Sequence, residues 1–277
     1  MTEGIKIGII GGTGLNNVNI IKDSFEVEVN TIFGKPSDKL ICGKINNVDC
    51  IILPRHDKNH TTSPTNVNYR ANLLALKNAG CHVILATTAC GSLNESYCPG
   101  DIVIIDDFID HTKKRSHTFY DGVVKEASFN KVCHMPMHPG FNGQMRNIIA
   151  EQCDKLSVKY HKLGTMITIE GPRFSSKAES KLFQQWGAHI INMTTCPEVI
   201  LAKELGIPYA SIALVTDYDC WREENEGHVD VESVMKMFKQ NINKLISVVT
   251  ESIPQIAKIN WKPILEENEK KINSSQM

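Results

Sequence analysis

Apolar positions along the chain follow two rhythms. Seven short, nearly unbroken apolar runs, at 5–10, 48–53, 82–87, 101–106, 164–169, 188–192 and 208–215, are rich in β-branched residues and end in Gly, Pro or polar clusters. Lacking the alternation of a half-solvated strand, they predict strands buried on both faces. Other stretches repeat at every third and fourth position. Residues 67–79 do so and stop at Gly80; 143–156 do so more weakly. A helix over 176–186 opens with the capping-box pattern Ser176-Lys177-Ala178-Glu179, and one over 198–205 has Pro197 at its first turn and Gly206 behind it. The longest, 229–249, sets Val231, Val234, Met235, Phe238, Ile242, Leu245 and Val248 on one side. Strands alternating with helices predict an α/β fold, one domain over 1–260. The tail 261–277 turns polar and is expected to fray. Residues 111–140 have no period and mix Lys113, Lys114, Arg115, Phe119, Tyr120, His134 and His138; they suit a lid, an interface or a plain solvated loop.

The segments just beyond the strands carry the candidate chemistry, because α/β proteins place ligands at strand ends. The first strand runs into Gly11-Gly12-Thr13-Gly14, whose backbone N–H groups suit an anion; the dinucleotide fingerprint fails at Asn17, and a P-loop lysine is missing. The second ends in Pro54-Arg55-His56, a pair able to grip an oxyanion. The spacing of His56 and His60 is zinc-like only on a helix, and Pro54 and Pro64 make this a loop, so the metal reading is rejected. The third strand ends in Thr88-Ala89-Cys90-Gly91-Ser92, where Cys90 reads as a small packed residue before it reads as a nucleophile. Later strands end in Glu170-Gly171-Pro172-Arg173-Phe174-Ser175, in Asn192-Met193-Thr194-Thr195, and in Thr216-Asp217-Tyr218-Asp219. Ordinary loop chemistry explains any one of these. Their convergence points to one site for a flat ring and an anion.

Composition narrows the class. A length of 277 residues, 42% of them hydrophobic, can bury a sizeable core. A formal net charge of −1 gives no reason to expect a nucleic acid polymer or an anionic membrane, and no apolar run reaches a membrane span. The 9 cysteines are scattered without a C-x-x-C pair, which argues against a disulfide framework and for a reducing compartment. The chain opens on a strand and no signal peptide is read, so a cytoplasmic location, with the nucleus also open, is expected.

Taken in order, these strand-end motifs resemble the trimeric purine nucleoside phosphorylases, from about Ile5 to about Ile256. The resemblance implies a single α/β domain, with a mixed central sheet partly closed as a barrel and flanked by helices, in a homotrimer with sites near the subunit interfaces. It implies phosphate contacts from Thr13, Arg55, His56, Thr88, Ala89 and Thr194. It also implies a nucleoside pocket that includes Cys90 and Gly91, with Met193 under the ribose and Phe174 beside the base. Asp217 would be the catalytic proton donor to the purine, with Asp219 kept ionised to read the 6-amino group. Val231, Val234 and Met235 would wall the 5′ substituent, with His134 reaching in from a neighbouring subunit.

Within the resemblance, Ser175 and Asp217 imply a preference for a 6-amino purine, and Val231 implies a methylthio group at the 5′ position rather than a hydroxyl. The implied reaction is phosphorolysis of such a nucleoside, with inorganic phosphate as co-substrate and no metal or organic cofactor. The rivals are a phosphorylase for inosine, guanosine or adenosine, and a binding module without turnover. Asp57 departs from the resemblance, standing where a glycine is usual and adding a negative charge close to the phosphate site. A C-terminal region shorter and more polar than in animal relatives puts closure over the 5′ group in question.

Overall fold

The computed structural model describes residues 4–11, 20–124, 128–222 and 229–277. Eleven strands join in one sheet. They are β1 (Lys6–Gly11), β2 (Lys22–Val27), β3 (Leu40–Ile45), β4 (Val48–Pro54), β5 (Val83–Ser92), β6 (Ile102–Ile104), β7 (Asp107–His111), β8 (Tyr160–His161), β9 (Thr165–Ile169), β10 (Ile190–Asn192) and β11 (Tyr209–Asp217). Six helices pack on it: α1 (Tyr69–Asn78), α2 (Gly143–Lys155), α3 (Lys177–Gln185), α4 (Thr195–Glu204), α5 (Val231–Ala257) and α6 (Lys262–Ser275). The seven apolar runs all become strands. The short hairpin partners β2 and β3, with mostly exposed or half-buried residues, were not legible in the pattern.

The sheet is mixed. Its main path runs β2-β3-β4-β1-β5-β10-β9-β7, and β5 also pairs with β11, which carries β6 and then β8. Among the described residues the pairings branch at β5 and form no closed ring. β1 is parallel to β4 and β5, and β5 is parallel to β11, so these strands end on the same side. Register brings Gly11 beside Pro54, and Asp217 beside Gly91 after a bulge at Val215. β10 joins this edge by pairing Ile191 with Gly91, and its parallel partner β9 brings Thr168 beside Asn192. Strand pairing alone therefore gathers the motifs named above.

Two apolar layers seal the sheet. One holds Leu73 and Leu76 of α1 with Val199 and Leu201 of α4; the other holds Met145 and Ile149 of α2 with Phe238, Leu245, Val249 and Ile253 of α5. No helix among the described residues is long and apolar enough to cross a membrane.

Two expectations need correction. The tail does not fray, for α6 is a full helix whose Ile264 and Leu265 pack on the second layer. Its end is tied down as well: His134 N donates to Ser275 O at 2.9 Å, and Met277 N to Val132 O at 3.0 Å. The high polar content hid a one-sided apolar stripe. Nor are the described residues of 111–140 simply a solvated loop. Phe119 and Phe129 stack at 5.2 Å and Arg115 is buried, while none of the stretch's described residues lines the main cavity. Packing without a period leaves no periodic signal to read.

Candidate active site

A cavity of about 290 Å³ opens at the gathered strand ends. Its oxyanion end begins where β4 gives way to Arg55, whose N–H donates to Gly11 O at 3.0 Å. The Arg55 side chain is 2% exposed and is held from behind: Nε donates to Glu198 Oε2 at 2.7 Å, Nη2 to Glu198 Oε1 at 2.8 Å, and Nη1 to Thr87 O at 2.9 Å. Tyr209 Oη donates to the same Glu198 Oε1 at 2.7 Å. A guanidinium has five N–H groups, so one remains on each terminal nitrogen for a ligand. Burial works against the Arg55 charge, but the Glu198 carboxylate more than offsets it and raises the pKa. The expected phosphate arginine thus lines the cavity as half of a neutral, buried ion pair.

His56 Nδ1 lies 2.8 Å from Thr62 O. Burial, then the Arg55 charge, pushes its pKa down to about 4, so the ring is neutral at pH 7. Thr88 Oγ1 accepts from Asn192 Nδ2 at 3.0 Å and lies 3.5 Å from Thr194 Oγ1. Asn192 also donates to Thr195 Oγ1 at 2.8 Å and accepts from Thr168 Oγ1 at 3.2 Å, which ties three strand ends together. Thr88, Ala89 and Thr194 all line the cavity; Thr13 lies outside the described residues.

Elsewhere in the cavity wall, Asp217 Oδ1 accepts from Asp219 N at 2.8 Å and Oδ2 lies 2.7 Å from Thr216 Oγ1. Burial raises the Asp217 pKa above its ordinary value, against those two hydrogen bonds. Thr216 Oγ1 is also 3.1 Å from Cys90 O. A hydroxyl has one proton, so Thr216 can donate to the Asp217 carboxylate, or donate to Cys90 O and accept the proton of a neutral Asp217. Both charge states of the acid are therefore served. Asp219 is raised too, by burial and by the charge of Asp217, which runs against the expectation that it stays readily ionised.

Cys90, Phe174, Ser175 and Met193 line the cavity as expected. Burial and then Asp217 push the Cys90 thiol well above its ordinary pKa, so it serves as packing. Gly91 leaves no room for a side chain beside the acid, since a Cβ there would stand 2.8 Å from Asp217 Oδ1; the glycine is not among the residues lining the cavity. Gly171 has a similar task, with φ +68° and a would-be Cβ 2.5 Å from Met193 Sδ.

A third side of the cavity is made by the first turns of α5. Asp230 Oδ1 caps that helix by accepting from Ser233 N at 2.8 Å, and Val231, Val234 and Met235 face the cavity. Val231 is 67% exposed. His134 is exposed and does not line the cavity of its own chain. Among the described residues no cluster of His, Cys, Asp and Glu could hold a metal ion.

Several functional residues escaped sequence reasoning. His60, expected as a loop histidine, lines the cavity 4.5 Å from the His56 ring. Glu198 looked like one more helix carboxylate. Arg115 sat unmarked in an aperiodic stretch, yet it donates to Met193 O and Cys196 O at 2.7 Å each and to Glu170 O at 2.7 Å. It fixes the spacing of the two loops that carry Met193 and Phe174. Only a charged residue amid buried aromatics could have hinted at it.

Comparison with known proteins bears on this geometry. A profile of the phosphorylase superfamily matches residues 6–254. The chain belongs to that superfamily. It is 54% identical to S-methyl-5′-thioadenosine phosphorylase of Xenopus tropicalis, over 99% of this chain and 96% of the relative, and 52% identical to that of Anopheles gambiae, over 100% and 98%. Among solved structures, methylthioadenosine phosphorylase from Schistosoma mansoni in complex with adenine superposes with a TM-score of 0.94 at 41% identity, over 99% of both chains. A mutant of the adenosine/methylthioadenosine phosphorylase from the same organism, in complex with methylthioadenosine, gives 0.93 at 41%, again over 99% of both. The α/β fold with a mixed sheet and flanking helices is that of the superfamily.

Proposed function

We infer that this chain catalyses phosphorolysis of S-methyl-5′-thioadenosine, releasing adenine and 5-methylthioribose 1-phosphate. The observation that carries the reading is the layout of one cavity. A buried acid, Asp217, stands at one end, an oxyanion end built on Arg55, His56, Thr88 and Thr194 at another, and an apolar wall of Val231, Val234 and Met235 at the third. Full-length relatives that bear this activity in their names support it.

In this reading phosphate attacks the anomeric carbon while the bond to the purine N9 breaks. Negative charge collects on the leaving base, and a neutral Asp217 relieves it by donating to N7; such general acid help is worth roughly 10²–10⁴ in rate. Burial raises the Asp217 pKa and so favours the protonated form, and a hydrogen bond from the Thr216 hydroxyl holds the carboxyl in place. Asp219 reads the 6-amino group. Arg55 and the backbone around Ala89 hold the phosphate in line, which is positioning more than chemistry. Inorganic phosphate is the co-substrate and no metal or organic cofactor is called for. We also propose a homotrimer in which His134 serves a neighbour's site, and a role in purine and methionine salvage in the cytoplasm. Adenine release from methylthioadenosine, measured with and without phosphate, tests the reaction; release that ignores phosphate would overturn it.

Adenosine as a second, slower substrate is a reading favoured by one observation. Val231 is 67% exposed, so a 5′-hydroxyl there could still meet water.

A further inference from the structure

The oxyanion end is rich in groups that fit an anion, but its histidine has the opposite polarity. A carbonyl oxygen only accepts, so the 2.8 Å contact between His56 Nδ1 and Thr62 O fixes the ring proton on Nδ1. A neutral ring then presents a bare lone pair at Nε2. His56 lines the cavity beside Arg55, and its Nδ1 faces the loop, which leaves Nε2 as the atom available to a ligand.

Charge around it points the same way. The Arg55 guanidinium is balanced by Glu198, in a pair whose side chains are 2% and 0% exposed. The Asp57 carboxylate, next in sequence, is turned into its own loop, accepting from Thr61 Oγ1 at 2.7 Å and Thr62 Oγ1 at 2.9 Å. His60 is held below its ordinary pKa by burial, so it too is uncharged at neutral pH. Among the described residues the subsite thus offers hydrogen-bond donors on Arg55 and Thr194, one acceptor on His56, and little net positive charge.

We propose that this subsite is built for a protonated oxyanion: His56 Nε2 accepts a hydrogen bond from an acidic P–O–H, so the co-substrate binds as hydrogen phosphate with that proton in place. The inference rests on the reading of this end as the phosphate site. It assigns His56 a specificity role, choosing between tetrahedral anions of like charge and size. Hydrogen phosphate presents acceptor oxygens to Arg55 and Thr194 and one donor to His56. Sulfate presents acceptors only, and sets an oxygen lone pair against the nitrogen lone pair.

The test compares four anions at neutral pH on the full chain with adenine present, read by thermal shift and by displacement of phosphate. Hydrogen phosphate and hydrogen arsenate carry an acidic O–H; sulfate and monofluorophosphate are dianions without one. The first two are expected to bind at least roughly 10-fold more tightly than the last two, the range for one hydrogen bond to a charged group. His56→Gln, whose amide can turn an N–H toward the anion, is expected to shrink that gap to about threefold. Sulfate or monofluorophosphate binding as tightly as phosphate overturns the proposal, as does an unchanged gap in a folded His56→Gln. Should that variant not fold, the ranking in the wild type decides alone. These readouts need no turnover, so phosphate-independent adenine release would count against the proposed reaction while the anion ranking still judged His56.

Discussion

The oxyanion end and the 5′ end of the cavity are built on opposite terms. At the oxyanion end the described side chains are held from behind: Arg55 by Glu198 and Thr87, His56 by Thr62, Thr88 by Asn192. Strands fix the backbone there, and the side chains are buried. At the 5′ end three apolar side chains project from the first turns of one helix, and Val231 keeps most of its surface in solvent. The first end is pre-organised, so its interactions need little reordering when the anion arrives. The second discriminates by apolar contact alone, which is worth far less per group. Strict co-substrate choice and tolerant 5′ choice should therefore go together in this protein.

The sharpest break in that comparison is Glu198→Ala. It leaves the Arg55 guanidinium buried and uncompensated, a loss expected to cost about 3–5 kcal/mol of stability. Denaturant unfolding should show the drop, and surviving protein should need much more phosphate to reach half-maximal rate. Glu198→Gln, which keeps the shape and one acceptor, should lie between; a Glu198→Ala protein as stable as the wild type would mean that Arg55 finds another partner.

Next comes Asp217→Asn, expected to lower kcat/KM for methylthioadenosine by roughly 10²–10⁴. The sign of the pH effect is set by the direction of the shift. A general acid works while protonated, so activity should fall as pH rises through the raised pKa of Asp217, and that alkaline limb should vanish in the amide variant. Adding Ser175→Glu should move activity toward 6-oxopurines. A pH profile of the same shape in both proteins would remove Asp217 from the acid role.

The two ends also differ in how far the chain itself announced them. Motifs beyond strands were readable because parallel strands end together, and a polar residue after a buried run has few other reasons to be there. Arg55, His56, Thr88, Asp217 and Asp219 were found that way. Their supports were not readable, since a group such as Glu198 or Arg115 is defined by whom it meets across the fold: 143 residues separate Arg55 from Glu198 and 78 separate Arg115 from Met193. Likewise α6 was missed because a helix stabilised by packing one narrow stripe can be polar everywhere else.

At the 5′ end effects should be small. Val231→Ser is expected to shift the preference between methylthio and hydroxyl by about 1–3 kcal/mol at most, nearer the lower figure because the side chain is so exposed. Rates on methylthioadenosine, adenosine and a bulkier 5′-alkylthio analogue would measure it. A shift far above tenfold would show that another segment closes over Val231 during the reaction.

The smallest effect belongs to Asp57, a carboxylate that the sequence leaves either in solvent, where substitution matters little, or near the bound phosphate. A carboxylate beside the phosphate site would repel the anion, and its removal would tighten phosphate binding. Instead the side chain closes the 57–62 loop, accepting from Asn59 N at 2.7 Å, Thr61 N at 3.1 Å and Thr62 N at 3.0 Å, besides the two threonine hydroxyls. Partial burial pushes its pKa up, but those hydrogen bonds outweigh it and bring it to about 2. The same loop supplies Thr62 O, the acceptor that sets the His56 tautomer. Asp57→Gly relieves a backbone held at φ 64° but opens the loop, so the net cost should be only ~1 kcal/mol, as for a lost cap. The half-saturating phosphate concentration should rise a few-fold. Because the folded pKa lies below the ordinary 3.8, the stability from Asp57 is present at neutral pH and is lost as pH falls from about 4 toward about 2. The melting-temperature deficit of Asp57→Gly should accordingly shrink over that interval. A variant that instead binds phosphate more tightly would put the carboxylate back beside the anion.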